Sequence, residues 1–510
     1  MGRQDYRQRA APPSTIPAIM RSVILALACL LLAACSTPEA EQTASPPNIV
    51  VIVADDLGYN DLGSFGSEII RTPHLDALAA GGVRATDGYV SAAVCSPSRA
   101  GLYTGRYQPR FGYEYNTSGR DTVVGLPTDE RTLADMLGDA GYATGLIGKW
   151  HLGKSKQHHP LSRGFDEYFG VLAGGTSYID SRRAGVQSWP ASNAPTTRGD
   201  ANAIFDGFEQ VEVEEYLTDV FADRAVDFIR RHKDERFFLM LTPNSPHTPL
   251  QATTEYTDRY PDVEPEGRRI FAAMVSSIDD YVGDVVSELR ANGLEENTLI
   301  VFTSDNGCVK YLSQDVCSND PLRGSKRFHL EGGIRVPFIF YWPAGLPSGQ
   351  TYGQPIISLD LFSTFAAAAR SAETAQDSVN LLPYLRGEQE DSPHEFLFWR
   401  FKPNIAVRWG KWKMWKVNKT DLTEQDLTIG GRRLPEVEHP GDSPLGQLTV
   451  LYDLSEDVGE SQNLAAQHPE IVERLETEFE RWNAELAEPM WLSNRSTIYD
   501  LHGQMIQVFF

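Results

Sequence analysis

Five short apolar runs bounded by polar turns punctuate the chain: IVVIVA at 49–54, ATGLIG at 143–148, FFLMLT at 237–242, LIVFTS at 299–304 and FIFYW at 338–342. Uninterrupted runs of this length predict strands buried on both faces, as in a parallel sheet. Between them, apolar positions recur at helical spacing over 73–81, 130–140, 214–231 and 266–291, which predicts the β/α alternation of a doubly wound sheet. Polar residues stand directly after the strands: Asp55 and Asp56 after the first, Lys149 and His151 after the second, His247 after the third, Asp305 and Asn306 after the fourth. Ligands of open α/β sheets bind beyond the carboxyl ends of the strands, so this placement predicts that distant stretches of sequence meet in one site.

The texture changes after residue 380. Tryptophans cluster in FLFWRFKPNIAVRWGKWKMWKV at 396–417, and LTVLYDL follows at 448–454. Alternating apolar and charged residues here predict antiparallel strands, and Ile471, Leu475, Phe479 and Trp482 mark a closing helix over 469–487. The tryptophans read as core, not as a sugar-stacking platform. The expected organisation is a leader at 1–35, a tether at 36–46, a large α/β domain at 47–380 and a smaller C-terminal subdomain at 381–510.

The leader is set apart by VILALACLLLAA at 23–34, too short for a membrane span but suited to a signal-peptide core. It ends in Leu32-Ala33-Ala34-Cys35, similar to the bacterial lipobox, where Cys35 would become the diacylated N-terminus. Ala33 and Ala34 would also suit an ordinary cleaved signal. Both readings export the protein, and the first predicts a lipoprotein of the outer membrane or periplasm held to the membrane through Cys35. A formal net charge of −23 argues against nucleic acid or anionic membrane as a partner, since both need basic patches. An anionic substrate stays possible where a few cations are gathered in one pocket, because exposed charges are screened beyond about 10 Å. Apart from Cys29 and Cys35 in the leader, the cysteines are Cys95, Cys308 and Cys317. The last two stand either as a disulfide suited to an oxidising compartment or as reduced, packed thiols.

Two adjacent aspartates at a strand end repel each other unless a cation lies between them. With Asp305 and Asn306 they supply an all-oxygen set suited to a hard divalent cation, and calcium tolerates such irregular carboxylate and amide coordination better than magnesium. The pentapeptide Cys95-Ser96-Pro97-Ser98-Arg99 has the form Cys-x-Pro-x-Arg, on which maturation enzymes convert cysteine to formylglycine (3-oxoalanine). Together with NIVVIVADDLGYNDLG, VCSPSRAGLYTGRY, YATGLIGKWHLG, SPHTPL, LIVFTSDNG, PLRGSK and EGGIRVPFI, which recur in the family's order, it makes residues 46 to 490 resemble the formylglycine-dependent (type I) sulfatases of the alkaline phosphatase superfamily.

The resemblance implies an alkaline phosphatase-like fold, a large, mostly parallel sheet flanked by helices with a small antiparallel C-terminal sheet and helix. It also implies hydrolysis of sulfate esters. By the same resemblance Asp55, Asp56, Asp305, Asn306 and the formylglycine made from Cys95 hold Ca2+. Arg99, one turn beyond Cys95 if a helix begins there, stabilises the aldehyde hydrate; Lys149 contacts sulfate and hydrate; His151 is the base that helps expel sulfate. His247 and Lys326 bind sulfate and protonate the leaving oxygen. The implied partners are a sulfated carbohydrate, met outside the cytoplasm, and a formylglycine-generating or anaerobic maturation enzyme. Segments 113–116, 174–183 and 399–402 are candidates for reading the sugar. Two other readings stand beside this one. A phosphodiesterase or phosphonate monoester hydrolase of the superfamily tends to have histidine where this chain has Asn306, and a non-catalytic glycan-binding lipoprotein would be expected to have lost ligands.

Overall fold

The computed structural model describes residues 1–2, 45–117, 124–190, 202–310, 315–422, 443–493 and 495–510. The chain divides into Met1–Ser45 and the compact unit Pro46–Phe510. Cys29, Cys35 and the apolar run at 23–34 lie outside the described residues, as does most of the expected tether. No helix among the described residues is long and apolar enough to cross a membrane.

Ten strands form the main sheet: β1 (Asn48–Ala54), β2 (Val83–Ala85), β3 (Ala143–Lys149), β4 (Glu167–Val171), β5 (Ile204–Asp206), β6 (Glu209–Val211), β7 (Phe237–Thr242), β8 (Thr298–Ser304), β9 (Phe338–Tyr341) and β10 (Gln350–Tyr352). Their order across the sheet is β10-β2-β9-β8-β1-β7-β3-β4-β5-β6. The five central strands run parallel; the apolar runs predict this for β1, β3, β7 and β8, and β4 joins them without such a run. The fifth run departs from that expectation: β9 pairs antiparallel with β8, and β2 antiparallel with β9. A buried strand flanked on both faces needs a continuous apolar run whatever its direction, so hydrophobicity alone does not report polarity.

Alternation along β1 splits the core. Ile49, Val51 and Val53 face one cluster, Val50, Ile52 and Ala54 the other, as the two-residue period of a strand requires. The first face is covered by α2 (Cys95–Thr104), α3 (Leu133–Asp139) and α6 (Asp360–Ala369), and the second by α1 (Pro73–Gly81), α4 (Leu217–His232) and α5 (Glu266–Ala291). α3 starts at a capping box in which Thr132 and Asp135 satisfy each other's backbone N–H. α4 buries Phe221, Ala225, Phe228 and Ile229 and has Arg230 and Arg231 in its last turn, cationic side chains that suit the negative end of the helix dipole.

The C-terminal sheet is antiparallel in the order β11 (Phe396–Phe401), β12 (Asn404–Trp409), β13 (Trp412–Asn418) and β14 (Gln447–Asp453). Trp399 and Trp415 are fully buried in it. The closing helix α7 (Pro469–Asn483) lays Trp482 on Phe398 with ring centroids 4.9 Å apart and planes 9° from parallel, so these aromatics are core. Lys413, on β13, lies wholly buried between Glu331 (2.8 Å) and Glu460 (2.9 Å). A cation removed from water is tolerable only with such anionic partners, and this one ties the antiparallel sheet to the α/β layer. Cys308 and Cys317 are joined by a disulfide just beyond β8.

Candidate active site

Strand register brings the site together. Ala54 of β1 pairs with Ser304 of β8, so Asp55-Asp56 and Asp305-Asn306 leave the sheet side by side. β3 and β7 end beside them, Gly148 paired with Thr242, which delivers Lys149 from one strand and the loop bearing His247 from the other. Cys95 opens α2, and Arg99 sits one turn into the helix; both are 1% exposed. Asp56 and His151 adopt left-handed backbone conformations (φ 67° and 62°). Non-glycine residues take this conformation at a cost that surrounding structure must offset, and such strain clusters at functional sites.

The side chains meet at hydrogen-bond range. Lys149 Nζ contacts both oxygens of Asp55 (2.8 and 2.7 Å). Lys326 Nζ lies 2.5 Å from Asp56 Oδ1 and 2.9 Å from Cys95 Sγ. Arg99 Nε donates to Asp305 Oδ2 (2.8 Å), and its Nη1 to the Lys149 carbonyl (2.9 Å). Asp56 N–H donates to Asp305 Oδ1 (3.3 Å), and Asn306 Nδ2 to Asp56 Oδ1 (2.7 Å). His247 Nδ1 donates to the Thr248 carbonyl at 2.6 Å, which leaves Nε2 facing Asp56 Oδ2 at 3.7 Å. Ligand atoms of Asp55, Asp56, Cys95 and His247 all lie within 4.8 Å of one another. Asp305 stands beside this cluster, held by Arg99.

Sequence-family comparison decides the class. A model described as Sulfatase matches residues 47–371, and one for the C-terminal region of aryl-sulfatase matches 392–503. The chain belongs to the sulfatase family. Human arylsulfatase D is 32% identical over 539 aligned positions, covering 90% of this chain and 88% of that protein. N-acetylgalactosamine-6-sulfatase of Sus scrofa is 32% identical and covers 84% of each. The crystal structure of Ps i-CgsB in complex with k-i-k-neocarrahexaose matches with a TM-score of 0.75 at 33% identity, over 88% of this chain and 95% of that one. The protein is therefore a sulfuric ester hydrolase, of a family that typically uses calcium and formylglycine.

The electrostatics of this sulfatase follow from burying three carboxylates among three cations. Burial alone would raise the Asp55 pKa, but the Lys149 ammonium outweighs it and holds the carboxyl below its ordinary range. Asp56 is held down likewise, burial being overcome by Lys326. Asp305 goes the other way: burial and the neighbouring Asp55 charge push it up despite Arg99. Asn306 Oδ1 is buried with no hydrogen-bond partner among the described residues, although such an oxygen ordinarily has one. Three clustered carboxylates and an amide oxygen with no partner among the described residues form an all-oxygen group that fits a hard divalent cation. His151 is held well below its ordinary pKa by burial and by Lys149 and Arg99, so its imidazole is neutral. Its buried Nδ1 has no hydrogen-bond partner among the described residues.

Sequence reasoning missed the residues that hold these groups. Ser96 Oγ lies 2.7 Å from the Tyr113 hydroxyl and donates to the His151 carbonyl (2.6 Å), which secures the left-handed turn. Asn116 Oδ1 accepts the Ser96 N–H (2.9 Å). Asn244, 1% exposed beside His247, has neither amide atom paired among the described residues. Ser96, Tyr113 and Asn116 carry no local signal for this role, since each acts on a partner distant in sequence. Of two segments expected to read the sugar, 113–115 and 399–401 are buried, whereas Asn116 and Lys402 are partly exposed. Tyr113, Glu114 and Tyr115 are buried, Glu114 pairs with buried Arg400 at 2.5 Å, and Trp399 is wholly enclosed. The segment 174–183 abuts the site as well: a Cβ at Gly174 would lie 2.6 Å from the His151 ring, and one at Gly175 3.3 Å from His247.

Proposed function

We propose that this sulfatase acts on a sulfated carbohydrate, using a formylglycine made from Cys95 and calcium held by Asp55, Asp56, Asp305 and Asn306. The observation that carries the reading is the position of Cys95 at a helix start, its Sγ 2.9 Å from Lys326 Nζ and 3.7 and 3.9 Å from Asp55 and Asp56, in a cluster that His247 completes. The relatives support the carbohydrate: one is named for N-acetylgalactosamine 6-sulfate, and Ps i-CgsB was solved with a neocarrahexaose.

When present, the formylglycine hydrate supplies one hydroxyl that attacks sulfur and a second whose deprotonation expels sulfate. Calcium supplies charge that makes this hydroxyl more acidic and draws in the sulfate oxygens. The chain's own residues do the rest. Arg99, anchored by Asp305 and the Lys149 carbonyl, orients residue 95 from the helix interior. Lys149 and Lys326 bring two ammonium groups to the sulfate, where charge in a water-poor site counts for more than in bulk solvent. His151, neutral and buried, can accept the proton released in the expulsion step. His247, the more open of the two histidines, has its Nδ1 fixed on Thr248 and presents Nε2 to the leaving oxygen.

Purified protein is expected to carry one calcium per chain, and Asp305→Ala to lose it together with activity on nitrophenyl sulfate. Elemental analysis showing two zinc ions per chain, with faster cleavage of phosphate or phosphonate esters than of sulfate esters, would favour the phosphatase-like alternative. The N-terminal sequence supports an exported lipoprotein anchored through Cys35, met by its substrate outside the cytoplasm. Cys35→Ser should release the protein from the membrane fraction or block its processing, and an N-terminal peptide without acyl mass would exclude the anchor.

A further inference from the structure

A second pocket opens beside the catalytic cluster. Its volume is about 420 Å³, and its lining includes Lys154, Lys156, His159, Leu172, Phe205 and Phe208. No carboxylate stands among the described residues that line it, which is unusual on a chain of net charge −23. Lys156 is exposed and has no ion-pair partner among the described residues; its Nζ lies 5.8 Å from the centroid of the Phe208 ring. Phe208, 48% exposed, is among the few large apolar side chains left in solvent, and its ring leans on His159 at 4.3 Å. Lys154 is half-buried, and burial lowers its pKa, so an anion beside it would stabilise its charged form.

The pocket shares a wall with the active site. Lys154 follows His151 by three residues, and the carbonyl of Leu172 accepts the His151 N–H at 3.2 Å. From Leu172 the chain continues through Ala173 to the half-buried Gly174 and Gly175, against which the rings of His151 and His247 pack, and which carry no side chain of their own to stand in a ligand's way. An extended ligand centred on Cys95 could therefore continue over this bare glycine segment to the lysines. Cations, exposed aromatic carbon and the absence of carboxylates suit a sugar that carries an anionic substituent: the ammonium groups meet the anion, and the rings meet the sugar's C–H surface.

We propose that this pocket is a second anion subsite, which holds a sulfate or carboxylate group on a neighbouring sugar of the same glycan whose ester is cleaved at Cys95. The proposal rests on the carbohydrate reading above. It makes the protein selective for polyanionic oligosaccharides over singly sulfated small molecules, without any part in the chemical step.

The test compares wild type with Lys154→Ala/Lys156→Ala, using nitrophenyl sulfate and sulfated hexasaccharides from carrageenan and from chondroitin sulfate. The double variant should raise KM for the preferred hexasaccharide roughly tenfold, the size expected for two partly exposed ion pairs, with kcat unchanged and nitrophenyl sulfate hydrolysis unaltered. The difference should shrink at high salt, and Lys154→Arg/Lys156→Arg should restore most of it. Calorimetry on Cys95→Ala protein with and without the double substitution reads the same loss as binding, independent of turnover. Equal binding of the hexasaccharide by both forms, or a parallel loss on nitrophenyl sulfate, overturns the subsite alone. Inorganic sulfate competing through these lysines as well as the hexasaccharide would make the pocket a site for free product anion and overturn it too. Wild type that cleaves nitrophenyl sulfate but binds neither hexasaccharide would overturn the carbohydrate reading, and the subsite with it.

Discussion

Cys95→Ala is expected to abolish sulfate-ester turnover, with a loss on the order of 10⁶-fold, as for removal of a catalytic nucleophile elsewhere. The fold should survive, because the change deletes one sulfur from a helix start whose backbone bonds are untouched. The unconverted cysteine should be inactive as well. Burial pushes its thiol up to about 12 despite Lys149 and Lys326, so at neutral pH it is protonated and a poor nucleophile. Activity should therefore track the fraction of chains converted to formylglycine, read by peptide mass spectrometry after expression with and without a maturation enzyme. Since Cys95 is 1% exposed, conversion should occur only before folding is complete; enzyme added to folded protein should leave the thiol intact. Full activity from wholly unmodified cysteine would refute the mechanism.

The second large effect concerns the leaving group. A sugar alkoxide needs a proton as it departs, whereas a nitrophenolate leaves without one. His247→Ala should therefore depress hydrolysis of a carbohydrate sulfate much more than that of nitrophenyl sulfate, by about 10²- to 10⁴-fold, the range of general-acid catalysis. Arg99→Ala should instead reduce both substrates by a similar factor, because Arg99 supports residue 95 and not the departing oxygen. The comparison needs matched pH and kcat/KM on both substrates. Equal losses for His247→Ala would transfer the acid role to Lys326, 2.5 Å from Asp56 on the same side of the cluster, or to water, while sulfate-ester hydrolysis itself would stand.

Much of the candidate cluster is legible in the sequence because Asp55, Asp56, Lys149, His151, His247, Asp305 and Asn306 lie at or just beyond strand ends. An apolar run long enough for a buried strand announces β1, β3, β7 and β8, and the polar residue behind each must lie at a carboxyl edge. The pentapeptide at 95–99 and the acidic and amide pair at 305–306 add residue chemistry that needs no tertiary knowledge to be recognised. The alternation at 396–417 likewise announced an antiparallel sheet, and the spacing of Leu475, Phe479 and Trp482 its covering helix.

Other features depended on pairings that no local pattern encodes. The direction of β9 is set by its neighbours β8 and β2, since an apolar run buries equally well either way. Glu114 and Arg400 stand in segments that are candidates for reading the sugar, yet, 286 residues apart, they enclose each other in the core. The support of His151 by Ser96 and Tyr113, the left-handed turns at Asp56 and His151, and the lysine pocket beside them exist only once β3, β4 and α2 have packed. The sequence by itself determined which groups could do the chemistry, because strand ends and residue types are local properties. Tertiary structure alone decided which of them are buried, charged and within reach of one another, because burial and electrostatic coupling depend on distances between residues far apart along the chain.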